Sequence, residues 1–255
     1  MKLFKIDGVE IRMNEVKVSN EELQRIYNDL PKFYDRANAM ISFFQDVKWR
    51  AELIKIVKSY CTNPKRILDV ASGKGELSYV ISKLIKTDIV MVDYAENMLK
   101  SSLIEGDKVL ASFYNLPFRD NVFDAVVSSF ALHAADDIGA VVKEMTRVSR
   151  RVVGVIAMGK SDNWLLRNYV AFYLRFIQPY LAALVGAKPL DYKYIYYIYK
   201  KIPTNSQLKS IISKILDLKV FKVKALGSVY IFVGLKKGTK EKEVEKSIKN
   251  EEKIA

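Results

Sequence analysis

The residues with the clearest chemical reading lie in one run, Leu68-Asp69-Val70-Ala71-Ser72-Gly73-Lys74-Gly75-Glu76-Leu77. The apolar residues before Asp69 read as a strand and those after Gly75 as a helix, so the run predicts a turn at the ligand-binding end of an open sheet. Without a Cβ, Gly73 and Gly75 can take positive φ and open backbone N–H groups to a polar ligand. Residues 73–78 nearly match the dinucleotide fingerprint, with Ser78 in place of its last glycine. Asp69 weighs against a dinucleotide: a carboxylate ahead of the loop repels pyrophosphate but suits the ammonium and sulfonium of an amino-acid-bearing nucleoside. Asp93 ends the next apolar run about 20 residues beyond the loop, where its two acceptor oxygens can reach ribose hydroxyls. The plainer alternative is an ordinary turn aspartate with glycines that serve packing alone.

Such a loop needs a sheet to hold it. The pattern predicts strands over 66–70, 87–92, 108–111, 123–129 and 152–157, with helices over 75–85, 96–103 and 138–148. Nearly continuous apolar strands separated by helices imply a parallel sheet covered on both faces. Two further strands, 220–224 and 229–235, flank Gly227-Ser228 and can pair antiparallel. The expected fold is therefore α/β, a doubly wound, mostly parallel seven-stranded sheet. Residues 1–60 read as a lid, with a hairpin about Asp7-Gly8 followed by helices. Residues 61–160 form the core, 161–205 an aromatic-rich helical cap insertion, 206–235 the last helix and strand pair, and 236–255 a charged tail.

A lone cysteine, Cys61, excludes a disulfide-stapled secreted scaffold and points to the cytoplasm. The N-terminus has no signal-peptide core, and the apolar stretch 164–185 carries Arg167 and Arg175, which favours a buried or interfacial helix over a membrane span. The formal net charge of +13 favours anionic partners. The lysines are spread along the chain without an RNA-binding signature, so nucleic acid is not the expected partner, and no metal site is expected.

On these residues the chain resembles class I S-adenosylmethionine-dependent methyltransferases, and among them the ubiquinone and menaquinone biosynthesis C-methyltransferases. The marks are Tyr34-Asp35-Arg36-Ala37-Asn38, Trp49-Arg50, the loop with Ala71, Asn115-Leu116-Pro117-Phe118, Asp120-Asn121-x-Phe123-Asp124 and Glu144-Met145-x-Arg147-Val148. The resemblance implies S-adenosylmethionine as cofactor. Ala71, Ser72, Gly73, Lys74 and Gly75 would line its methionine part, Asp93 its ribose, and Met98, Ser112 and Phe113 its adenine. Ser129 would stand at the strand end, and Tyr34 would close over the cofactor. Ser112 departs from the Asp or Asn of relatives. Ser149-Arg150-Arg151 replaces a Pro-Gly-Gly turn, and Met158 and Gly159 stand where relatives are acidic; these last two departures are expected near the acceptor.

His133, the only histidine, falls where relatives place Arg, and the resemblance would set it facing the transferred methyl. A neutral imidazole there can take a phenolic proton as a general base; a loop histidine satisfied by local hydrogen bonds is the alternative. The implied function is methyl transfer to a small-molecule acceptor, a prenylated quinol or phenol in respiratory quinone biosynthesis, its ring held by Phe172, Tyr173, Phe176, Tyr180 and Tyr194. Peripheral membrane contact and a homodimer are compatible with this. Methylation of another small molecule or of tRNA, and a non-catalytic cofactor-binding module, stay open at this point.

Overall fold

The computed structural model describes residues 4–6, 9–11, 45–102, 104–184 and 189–238. The N-terminal hairpin forms from β1 (Phe4–Ile6) and β2 (Val9–Ile11), paired antiparallel. The helices expected before residue 45, Tyr34 among them, and the tail after residue 238 lie outside the described residues.

The core follows as α1 (Asp46–Tyr60), β3 (Arg66–Val70), α2 (Glu76–Leu84), β4 (Asp88–Asp93), α3 (Glu96–Lys100), β5 (Asp107–Leu110), β6 (Phe123–Ser129), α4 (Ile138–Val148) and β7 (Ser149–Met158). The cap comprises α5 (Trp164–Phe172), a π-helical turn (Tyr173–Ile177), α6 (Gln178–Leu184) and α7 (Pro189–Lys201). Helix α8 (Asn205–Ile215) and strands β8 (Leu216–Lys224) and β9 (Val229–Lys236) complete the sheet. Seven strands run in the order β5-β4-β3-β6-β7-β9-β8, parallel except for β9, which pairs antiparallel with β7 and β8.

Period-two alternation sorts this sheet's side chains into two cores. Val126, Tyr230 and Phe232 face Val141, Met145 and Ile212 of α4 and α8. Ala125, Val127, Ile231 and Val233 face Leu53, Val57 and Ile81 of α1 and α2. At Gly154 a Cβ would lie 2.6 Å from Val57 Cγ2, so the missing side chain is what lets α1 press onto β7. The cap has a small core of its own, Val170, Leu174, Tyr199 and Ile202.

Strand β7 begins three residues earlier than the apolar run suggests, directly after α4. Its first residues, Ser149-Arg150-Arg151, therefore sit at the end of the sheet opposite the β3–α2 loop, contrary to the expectation that this departure lies near the acceptor. Arg150 there donates to Asn121 O at 2.8 Å and pairs with Asp124 at 3.0 Å. Asp124 also accepts from the N–H groups of Lys65 and Arg66, so this cluster braces the entry to β3 and β6.

Candidate active site

Strand order reverses between β3 and β6, so the loops leaving their C-terminal ends diverge and open a crevice. A cavity of about 230 Å³ lies there, lined by the β3–α2 loop, the end of β4, the segment after β5 and the end of β6. Backbone geometry builds its floor. Ala71, Gly73 and Gly75 all take positive φ, at 52°, 56° and 84°. Ser72 N–H donates to Val92 O, Gly75 N–H donates to Ser72 O, and Gly73 N–H donates to Asp93 Oδ2 at 2.7 Å. The second Asp93 oxygen accepts from Ala95 N–H at 2.8 Å. A carboxylate has about four lone-pair sites, so acceptor capacity remains for a ribose hydroxyl. Burial pushes the Asp93 carboxyl above its ordinary pKa, against the backbone N–H groups of Ala95, Gly73 and Tyr94 that favour its charged form.

Ala71, Ser72, Gly73, Asp93, Met98, Ser112, Phe113 and Ser129 all line this cavity, on four separate connections. Lys74 and Gly75 do not; a Cβ at Gly75 would lie 2.9 Å from Ser102 Oγ and 3.2 Å from Met91 Sδ, which gives this glycine a packing role as well. Asp69 lies beneath the loop rather than in the cavity wall, fully buried, with Oδ2 accepting from Ser78 Oγ at 2.7 Å. Its Oδ1 has no hydrogen-bond partner among the described residues, and neither has the buried Oγ of Ser72. Desolvation raises the Asp69 pKa to about 7, with Glu76 adding to the rise and Ser78 and Arg50 opposing it.

Sequence reasoning assigned no role to Arg50, Glu76, Tyr94 or Phe130, which also line the cavity. Arg50 is buried on the same face of α1 as Leu53, Ile54 and Val57. It pairs with Asp46 at 2.5 Å, its Nε donates to Ser129 Oγ at 3.4 Å, and its guanidinium lies 5.1 Å from the centroid of the Phe130 ring. An arginine in register with three buried aliphatics was the available signal. Phe130 holds φ 52°, uncommon for a bulky side chain, where the chain turns out of β6 at the cavity wall. Tyr114 O–H accepts from the Asp136 and Asp137 N–H groups, and Arg147 joins Glu144 and Asp120 to the carbonyls of Leu116 and Phe118, fixing the segment that carries Ser112 and Phe113.

His133 stands on the 3-10 turn Leu132–Ala134 after β6. It lines a second, larger and open cavity of about 1050 Å³ beside α7 and α8, with Lys160, Tyr197, Lys201 and Gln207; Ala134 belongs to the walls of both cavities. Its Nδ1 is buried without a hydrogen-bond partner among the described residues, and burial lowers its pKa to about 4. Lys160 Nζ donates to the carbonyls of Lys200 and Ile202 and so closes the end of α7. Of the cap aromatics expected to hold a ring, Phe172, Phe176 and Tyr180 point into solvent and Tyr173 is half-buried. The side chain of Tyr194 lies outside the described ones.

A profile of the ubiE/COQ5 methyltransferase family matches residues 14–236. The chain belongs to this family. The demethylmenaquinone methyltransferase of Staphylococcus aureus is 28% identical over 207 residues, 77% of this chain and 85% of that protein. A SAM-dependent methyltransferase of Thermotoga maritima superimposes with a TM-score of 0.57 at 17% identity, covering 84% of this chain and 99% of its own. An S-adenosyl-L-methionine-dependent methyltransferase of Methanococcus maripaludis gives 0.52 at 16% identity, covering 90% and 99%. Those two likenesses are of fold.

As a ubiE/COQ5 methyltransferase the protein is an enzyme that transfers methyl groups from S-adenosylmethionine. The cavity suits that cofactor: Asp93 offers paired acceptors, the orphaned Ser72 hydroxyl awaits a partner, and the Glu76 and Asp93 carboxylates in its wall favour a cation. Among the described residues no group of His, Cys, Asp and Glu could hold a metal ion, and no helix is long and apolar enough to cross a membrane.

Proposed function

We propose that the enzyme C-methylates a lipophilic quinol or phenol in respiratory quinone biosynthesis, at the cytoplasmic surface of a membrane, and that the acceptor enters through the second cavity. The observation that carries this is the shared wall at Ala134: one cavity holds the cofactor-type groups, and the other is bounded by His133 and the cap. The Staphylococcus aureus relative, named for a demethylmenaquinone acceptor, supports the same class of substrate.

Bound in the first cavity, the cofactor supplies an electrophilic methyl group on its sulfonium. Asp93, the 71–73 loop, Met98 and Phe113 orient it, Ser129 holds the end of β6, and Arg50 stacked on Phe130 keeps water from the mouth. Tyr34, from outside the described residues, completes the proposed cofactor set, and Lys74, which does not line the cavity, is left out of it. His133, through Nε2 because Nδ1 is buried, accepts the acceptor's hydroxyl hydrogen bond, which raises electron density on the neighbouring ring carbon; that carbon takes the methyl as the sulfur leaves with the C–S electron pair, and the ring proton passes to water. Kept neutral by burial, the imidazole places no positive charge near the sulfonium.

The test supplies methyl-labelled S-adenosylmethionine with a prenylated naphthoquinol and locates the label by NMR. A C-methylated ring supports the proposal; label in RNA or on a hydroxyl oxygen refutes it. Single-turnover transfer by His133→Ala is expected to fall about a hundredfold. Since the pKa is lowered to about 4, the His133 contribution is present at neutral pH and is lost as pH falls through that value. A His133-dependent inflection near neutrality would contradict this assignment.

A further inference from the structure

Helix α5, the π-helical turn and α6 follow one another without a break from Trp164 to Leu184. One face is satisfied: Val170, Leu174 and Gln178, spaced by four residues, are buried, the first two against Tyr199 and Ile202. The other face carries Leu165, Tyr169, Phe172, Phe176 and Tyr180 at helical spacing, with Trp164 at its start. These six side chains are 50% to 69% exposed. Phe172 and Phe176 touch, with ring centroids 5.1 Å apart, so the stripe continues across the π-helical turn. A contiguous exposed aromatic surface marks an interaction site.

Charge selects the partner. From residue 163 to residue 216 the chain has eight lysines and arginines and one acidic residue, Asp191. Arg175 is exposed at the stripe's edge, its guanidinium 5.1 Å from the Phe176 ring and 5.4 Å from the Tyr196 ring. Rings hold this guanidinium in a fixed plane, suited to a phosphate group. Trp and Tyr are the side chains that settle at a lipid headgroup boundary, and basic neighbours add attraction to anionic lipid. Pairing two copies through this face would bring like charges together.

We propose that the stripe on α5, the π-helical turn and α6 seats the enzyme on an anionic lipid surface, lying in the headgroup boundary. The cap that rests on lipid also carries α7, whose Tyr197, Ile198 and Lys201 wall the second cavity, so docking presents that cavity to an acceptor dissolved in the bilayer. This purpose rests on the lipophilic acceptor proposed above; the docking itself does not.

Trp49→Phe leaves Trp164 as the sole tryptophan of the chain's two. Unchanged circular dichroism and retained S-adenosylhomocysteine binding establish that this variant folds. It is mixed with acceptor-free vesicles of phosphatidylcholine, with or without phosphatidylglycerol, bearing brominated acyl chains. The expected result is a blue-shifted, quenched Trp164 emission with the anionic vesicles, weakening as salt is added. Phe176→Ser and Arg175→Glu, each in the same background, should lower partitioning about tenfold. Emission unaffected by lipid, partitioning insensitive to both substitutions, or a lipid-independent dimer that shields Trp164 would overturn the proposal. Docking without turnover of a prenylated naphthoquinol would refute the acceptor alone, and turnover of a soluble quinol without docking would refute the surface alone.

Discussion

The β3–α2 loop and the cap each wall a cavity, and the two cavities share Ala134, yet the two regions are built by opposite rules. Around the loop, acidic groups are buried and pinned: Asp93 takes two backbone N–H groups, Asp69 holds Ser78, and three residues accept positive φ. In the cap, basic and aromatic groups face outward, and the core beneath them has four buried residues. Strain and desolvation are tolerated where a cationic cofactor offsets them; in the proposal above, a lipid surface covers the exposed rings of the cap. A cap without that partner would be expected to bury its rings.

Substitutions of similar size should then have unlike consequences in the two regions. The largest effect is expected for Asp93→Ala, which removes a ribose partner and frees the Gly73 and Ala95 N–H groups; S-adenosylhomocysteine affinity should fall by about 3 kcal/mol in a calorimetric titration. Gly75→Ala places a Cβ at φ 84° and 2.9 Å from Ser102 Oγ, so urea unfolding should show a loss of about 2 kcal/mol. Asp69→Asn sharpens the contrast through pH. Its carboxyl pKa is raised in the folded chain from an ordinary 3.8 to about 7, so its stabilising contribution is full below the ordinary value and is lost as pH rises through 7. The melting temperature of the cofactor-free enzyme relative to Asp69→Asn should decline over that window, and a flat difference would refute the buried, uncompensated carboxylate. Smallest of all, Tyr180→Ser in the cap should change unfolding free energy by about 0.5 kcal/mol or less, because that ring buries little. A cap substitution as costly as Gly75→Ala would erase the distinction.

The sheet was legible because its strands are nearly unbroken apolar runs with turn residues at their ends, and all seven expected strands form. The loop was legible for a related reason: only glycine accepts φ 84° cheaply against packed neighbours, so Gly75 advertises its place. Less legible was what the cavity borrows from distant segments. Arg50 lies 79 residues from Ser129, and a helical period shows which face it shares without showing that the face ends at a cavity. The outward direction of Phe172 and Phe176 was not legible, because helical spacing gathers aromatic residues on one face without showing whether that face meets an acceptor or solvent. The π-helical turn and the fit of α5 on α7 decide which rings are covered, and neither leaves a local mark. Arg150 was placed at the wrong end of the sheet because an apolar run marks where a strand is buried, not where its hydrogen bonding starts.

The proposed cofactor site stands or falls on the ribose meeting Asp93 in the cavity between β3 and β6. Isothermal titration of the purified enzyme with S-adenosylhomocysteine, beside Asp93→Ala, reads this directly. One-to-one binding that collapses in the variant, with its circular dichroism unchanged, is the expected result. Equal affinity in the two proteins would contradict it.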